Sequence, residues 1–200
     1  MIHKRHPSGL SQTRQQLLDA ALTLFSSKGY AATSVRELVE AAGVTKPVLY
    51  YYFNSKEGLY LTLMQDALED FYQAAQQAVA APGNVTERIT GYCTTLLDIF
   101  IARLDLARLI FAIFYGPPQG APHIDFEASF NTMLRDIEFL VREGVASSEF
   151  RPIDPSDAAW LIVAQLNATM EEQLCHSHQP RIDRARLVRL LSVMFEGIKA

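Results

Sequence analysis

Thr33-Ser34-Val35-Arg36-Glu37-Leu38-Val39-Glu40-Ala41-Ala42-Gly43-Val44-Thr45-Lys46-Pro47-Val48-Leu49-Tyr50-Tyr51-Tyr52-Phe53-Asn54-Ser55-Lys56 is the stretch that decides the fold. Thr33 or Ser34 can cap a short helix whose inner face is Val35, Leu38, Val39 and Ala42. Gly43 ends it. Thr45 then caps a second short helix, and Pro47 is tolerated there because the first turn needs no proton from it. Leu49 and Phe53, four residues apart, face inward. Asn54-Ser55 stop that helix, and Ser55 caps a long one running to about residue 81. Upstream, Leu17, Leu18, Ala21, Leu24 and Phe25 form another helical stripe. Thr13 with Gln16 reads as a capping box at its start. Gly29 suits a left-handed cap at its end, with Tyr30 able to pack back. Three short helices with tight glycine turns around Leu24, Leu38, Val44, Leu49 and Phe53 make a helix-turn-helix unit.

Two features give this unit a chemistry. Lys46 and Lys56 each stand in the first turn of a helix. The macrodipole disfavours a cation there by a few tenths of a kcal/mol, roughly. The placement makes sense where an external anion shares the site, since helix-start N–H groups plus a lysine form a phosphate clamp. Tyr50, Tyr51 and Tyr52 are consecutive. Successive helical residues lie about 100° apart, so at least one ring must point outward. The plainer reading, a small helical subdomain, stays open on these residues alone.

The remainder is helical too. Pro82-Gly83 breaks the chain, and helices are expected over about 85–103, with Ile89, Cys93, Leu96 and Phe100 inward, and about 105–115. Gly116-Pro117-Pro118-Gln119-Gly120-Ala121-Pro122 is a loop. Further helices are expected over about 125–147, from the Asp154-Pro155 cap to near His176, and over about 183–199. The expected fold is all-α, about nine helices. It has a three-helix helix-turn-helix domain at residues 1–54 and a helical domain at residues 55–200.

Of 200 residues, 49% are hydrophobic, enough for a sizeable core. Net charge is −4, but residues 1–60 carry +3 and residues 61–200 carry −7. A basic front on an acidic body fits a local anion-binding surface. Cys93 and Cys175 are far apart, which fits a reducing cytoplasm. No signal peptide is visible, and the apolar run near Leu96–Tyr115 is broken by Arg103, Asp105 and Arg108, so no membrane span is expected. No nucleophile–base pairing, phosphate-binding glycine loop or carboxylate cluster indicates an enzyme, and no cofactor is implied. Cys175, His176 and His178, with His123 further off, have permissive but undistinctive metal-ligand spacing. The expectation is no metal.

The run from Thr13-Arg14 through Leu18-Asp19-Ala20-Ala21, Leu24-Phe25, Lys28-Gly29-Tyr30 and the quoted stretch to Glu57-Gly58-Leu59 resembles the DNA-binding domain of the TetR family. About fifty residues match with their spacing. The resemblance implies a transcriptional regulator that binds a palindromic double-stranded operator as a homodimer. It implies that Thr33 holds a phosphate, that Thr45, Lys46, Pro47 and Tyr51 enter the major groove or its edge, that Tyr50 contacts backbone phosphate and that Lys56 clamps phosphate. Tyr52 reads either as a backbone contact or as a core flank. Val48 departs from the hydroxyl or glycine frequent in the family: it can touch a thymine methyl or simply pack. The arm His3-Lys4-Arg5-His6 reads as extra DNA contacts or a solvated terminus. The resemblance further implies a ligand cavity in the second domain. Its candidate lining is Tyr72, Tyr92, Phe100, Phe111, Phe114, Phe130, Met133 and Trp160, against the alternative of plain core packing. An apolar lining suggests a hydrophobic small-molecule effector. The stripes Trp160, Ile162, Val163, Leu166, Met170 and Leu187, Leu190, Leu191, Met194, Phe195 would pair with a second copy, or form intramolecular core. Repression relieved by that effector is the expected function. The alternative is an adaptor or activator whose second domain binds a protein.

Overall fold

Nine helices run along the described residues, 9–116 and 120–199 of the computed structural model: α1 (Gly9–Lys28), α2 (Val35–Ala41), α3 (Lys46–Phe53), α4 (Lys56–Val79), α5 (Val85–Ala102), α6 (Leu104–Tyr115), α7 (Phe126–Ala146), α8 (Pro155–Cys175) and α9 (Arg184–Ile198). The only pairing outside helices among these residues is a single bridge between Phe150 and Lys199. The arm His3-Lys4-Arg5-His6 lies outside the described residues, as do three residues of the expected loop after α6. The chain forms two compact units. One is the chain up to Ala67 with Arg108–Ile124, and the other is Leu68–Ala107 with Asp125 onward.

In the first unit, Leu17, Ala21 and Phe25 of α1, Leu38 of α2, Leu49 and Phe53 of α3 and Leu59, Tyr60, Leu63 and Met64 of α4 are buried. Each Leu, Met or Phe among them contributes roughly 1.5–3 kcal/mol when removed from water. Ser34 caps α2 in a full capping box with Glu37. Gly29 takes φ 84, and its N–H closes on Phe25 O at 2.9 Å. Tyr30 then folds back onto Phe25 and Tyr60, with ring centroids 5.4 and 5.1 Å away. Arg14 ties α1 to α4 through Asp66 at 3.0 Å. Thr13 does not start α1, as the sequence signature suggested. The helix begins at Gly9, so Thr13 lies inside it. A capping signature marks a start only where nothing helical precedes it.

In the second unit α7 and α8 pack along each other, and α5 packs on α7, α8 and α9. Ile89, Tyr92, Leu96, Ile137, Leu140, Val163, Leu166, Leu187, Leu191 and Phe195 fill one core. Glu149 closes the start of α5, accepting from Val85 N, Thr86 N and Thr86 Oγ1 at 2.8, 2.8 and 2.6 Å. Phe150 stacks on Phe195 at 6.0 Å and lies against Gly144, where a Cβ would meet its ring at 2.4 Å. Glu172 on α8 receives Arg181 through Nε and Nη2 at 2.8 and 2.7 Å, fastening the α8–α9 connection.

The stripes on α8 and α9, read either as pairing with a second copy or as intramolecular core, contribute largely to the core of this chain. Ile162, Val163, Leu166, Met170, Leu187, Leu191 and Phe195 are buried within this chain. What α8 and α9 leave exposed is another face, with Leu161 64% and Val193 67% exposed, and Ala164 and Ala168 also exposed.

Candidate nucleic-acid interface

α3 is anchored by two side chains and free on the opposite side. Leu49 and Phe53, one turn apart, are 0% and 4% exposed. That phase turns Thr45, Lys46, Pro47, Tyr50 and Tyr51 to solvent. Tyr51 is 73% exposed, the most of the three tyrosines, and Tyr50 47%. Tyr52 is half-buried, edge-on to Tyr51 at 5.1 Å and tilted against Phe53 at 6.2 Å. Val48 is half-buried. Thr45 holds the N-cap backbone conformation, φ −104 and ψ 160, but its hydroxyl makes no capping hydrogen bond. The first turn of α3 contains no acidic side chain. Pro47 has no N–H and the Val48 N–H closes on Thr45 O at 3.1 Å, so the Lys46 N–H, the Thr45 hydroxyl and the Lys46 ammonium form an uncompensated positive end. This surface suits phosphate oxygens at its start and base edges along Pro47 and Tyr51.

Lys56 and Thr33 stand differently. The Lys56 ammonium donates to Tyr30 O at 3.0 Å and Thr33 O at 2.9 Å, and sits 4.1 Å from the Tyr30 ring centroid. Its place at the start of α4 is explained first by these internal acceptors, and one of its three protons is left over. Thr33 is buried, and its hydroxyl donates to Gly29 O at 2.8 Å. Thr33 was expected to hold a phosphate, and its hydroxyl is engaged inside the α1–α2 turn. The sequence held no signal for either arrangement, because the acceptors are main-chain carbonyls set by a fold-dependent turn. Asn54 in the left-handed region (φ 61) and the Ser55 hydroxyl accepting from Gly58 N make the abrupt change from α3 to α4. Gly58 is required there, since a Cβ would fall 2.0 Å from Phe53 O.

The candidate effector residues divide between the units. Phe111 and Phe114 belong to the first, where Tyr115 packs against both. In the second, Tyr92 and Met133 are in the core, with Phe100 and Phe130 packed against it. Trp160 is 53% exposed and covers Phe130, with centroids 5.4 Å apart. The Tyr72 hydroxyl lies 2.8 Å from Ser129 Oγ. Asp136, absent from the sequence-based candidates, accepts from the buried Tyr92 hydroxyl at 3.0 Å. Burial raises its pKa above the usual carboxylate value, despite the Tyr92 hydrogen bond and the nearby charge of Arg135. Nothing in its local sequence separates it from the other acids on surface helix faces. Among the described residues, no group of three or more His, Cys, Asp or Glu is placed to hold a metal, and no helix is long and apolar enough to cross a membrane.

A helix-turn-helix carrying such a recognition helix defines a DNA-binding regulator. The signature of the family described as "Bacterial regulatory proteins, tetR family" matches residues 17–63, which include Thr33, α3 and Lys56. The HTH-type transcriptional repressor KstR2 of Mycolicibacterium smegmatis is 29% identical over 147 residues, 73% of this chain and 71% of that protein. The HTH-type transcriptional activator FasR of the same organism is 32% identical over 132 residues, 62% of this chain and 60% of that protein. The TetR-family regulator PfmR of Thermus thermophilus has the same fold, with a TM-score of 0.70 at 22% identity over 94% of this chain and 97% of that one. The chain belongs to the TetR family of DNA-binding transcriptional regulators.

Proposed function

We propose that this regulator is a repressor that binds a palindromic operator as a homodimer and leaves it when a hydrophobic small molecule occupies residues 55–200. Residues 1–54 do the reading. The carrying observation is α3 itself, whose outward face gathers Thr45, Lys46, Pro47, Tyr50 and Tyr51 at a helix start without acidic side chains. Lys46 and the Thr45 hydroxyl hold phosphate, Pro47 and Tyr51 meet base edges, Tyr50 contacts the backbone, and Val48 packs beside a thymine methyl. Lys56 adds its remaining proton to a phosphate. Repression is supported by the name of the KstR2 relative. The aromatic and apolar side chains of the second unit, Tyr72, Tyr92, Phe100, Phe130, Met133 and Trp160, support a hydrophobic effector. α4 supplies residues to both units, so an effector that displaces it changes the spacing of two recognition helices.

The test is a thermal-shift screen on the purified chain, followed by operator binding for each hit. A hit should stabilise the fold and lower operator affinity. Unchanged operator affinity at saturating ligand overturns the effector reading. The relative named as an activator favours a second reading, in which the same surface binds DNA but occupancy raises transcription. A ligand that strengthens operator binding would select it.

A further inference from the structure

α7 turns one stripe toward α4 and α5. Ser129, Met133 and Asp136 stand at i, i+4 and i+7, the spacing of one helix face. The Tyr72 hydroxyl of α4 meets Ser129 Oγ at 2.8 Å, and the Tyr92 hydroxyl of α5 donates to Asp136 Oδ2 at 3.0 Å. Met133 between them is buried. Two polar contacts thus flank an apolar middle over about 10 Å of helix.

Asp136 is the unusual member of this stripe. Several acids of the second unit meet an arginine, among them Asp70 with Arg103, Asp98 with Arg184, Glu143 with Arg88 and Glu172 with Arg181, while Glu149, Asp154 and Asp183 are held by main-chain N–H groups. Asp136 forms no ion pair among the described residues. The neighbouring Arg135 is exposed and sends its guanidinium to Thr132 Oγ1 at 3.0 Å instead. Asp136 Oδ1 accepts no hydrogen bond there, and it is not among the atoms sealed from solvent without a partner. The carboxylate is half-buried beside a fully buried tyrosine. Withdrawing a carboxylate from water without a cation is costly, and a neutral acceptor would satisfy the Tyr92 hydroxyl equally well. The added charge has a use if a cation arrives from outside.

We propose that Asp136, fixed by Tyr92, receives the protonated nitrogen of a hydrophobic amine whose apolar part lies against Met133. This rests on the ligand-responsive reading above and names the chemistry of its effector. A carboxylate-headed ligand of the same shape is repelled from that end of the stripe. An alcohol gains one hydrogen bond without the charge attraction.

The test uses the full chain and three probes of equal chain length: octylamine, 1-octanol and octanoate. Binding is read by calorimetry, with thermal shift in parallel. Octylamine should bind roughly tenfold or more tightly than the other two, the ratio a charge-assisted hydrogen bond gives. Asp136→Asn keeps an acceptor for Tyr92 and should remove that preference, leaving the unliganded melting temperature nearly unchanged. Tyr92→Phe should weaken amine binding less, because the carboxylate remains but is no longer held. Amine binding equal to that of octanol or octanoate, or unaffected by Asp136→Asn, overturns the assignment while the effector reading stands. Failure of all three probes to bind overturns both.

Discussion

Lys46 and Lys56 both occupy the first turn of a helix, yet their surroundings separate them. Lys46 is exposed, while Lys56 is half-buried and holds two carbonyls of the α1–α2 turn. Lys46→Ala should leave the unfolding midpoint in place, weaken binding to all sequences alike and lower the salt slope of operator binding by about one. Lys56→Ala should instead destabilise the fold by about 1–3 kcal/mol, since it removes the side-chain donor of Thr33 O and leaves Tyr30 O with the Thr33 N–H alone. Urea unfolding beside salt-dependent DNA titration separates the two. Equal stability of both variants would show that the Lys56 contacts carry nothing. A second buried polar atom makes the opposite case. Tyr60 is fully buried, its hydroxyl has no hydrogen-bond partner, and burial pushes its pKa up to about 12. Tyr60→Phe should therefore be neutral or stabilising, by up to about 1 kcal/mol, in the same urea experiment. The outward face of α3 was legible in the sequence because Leu49 and Phe53 fix its phase, and helical geometry then assigns every neighbour. Thr33, Lys56 and Asp136 were not legible. Their partners lie 4, 26 and 44 residues away, and none of those partners is announced by a periodic pattern.

Helix boundaries followed local chemistry wherever a cap stood after a real break. Ser34, Asn84, Asp154 and Asp183 each accept a hydrogen bond from their helix's first turn. Thr13 carried the same signature inside a helix that had already begun. The α8–α9 connection shows how an element is held by one side chain. Hydrogen bonds from the Arg181 side chain, with its main-chain N–H adding to them, bring the Glu172 pKa down to about 2. His176 Nδ1 lies 3.1 Å from the same carboxylate. The folded value lies below the unfolded one, near 4.3 for a free glutamate, as is usual where an acid gains donors. The stabilisation is therefore complete above about pH 5 and is lost as pH falls through the folded value. Melting temperatures across this acid range should fall more steeply for the wild type than for Glu172→Gln, with the gap between the two closing as the carboxylate protonates. Parallel curves over that interval would show that the clasp does not contribute to folding.

At the scale of the molecule, the main question is which apolar surface remains after the chain has packed on itself. Periodicity identified apolar stripes on α8 and α9, but a stripe does not say which neighbour it faces. The strongest ones are consumed by the intramolecular core through Val163, Leu166, Leu187 and Leu191. Leu161, Ala164 and Ala168 remain on α8, spaced three and four residues apart, with Leu190 half-buried and Val193 exposed on α9. Small residues on α8 let a second helix approach closely, and the larger ones on both helices supply area to bury. If the proposed dimer forms here, its interface is isologous, so one substitution enters twice. Leu161→Glu and Val193→Arg place a charge on this face without touching the core, so each should yield a folded monomer with a nearly unchanged helical spectrum. A monomer loses the linkage of two half-sites, so operator affinity should fall by roughly a hundredfold or more, while half-site binding persists. Val163→Ala is the control. It removes core volume, so it should destabilise the fold by about 0.5–3 kcal/mol and leave the mass of the folded species unchanged. Light scattering behind a sizing column reads the outcome directly. Dimers that survive both charge substitutions would place the interface on another surface, and the exposed face of α8 and α9 would then have no part in positioning the two recognition helices.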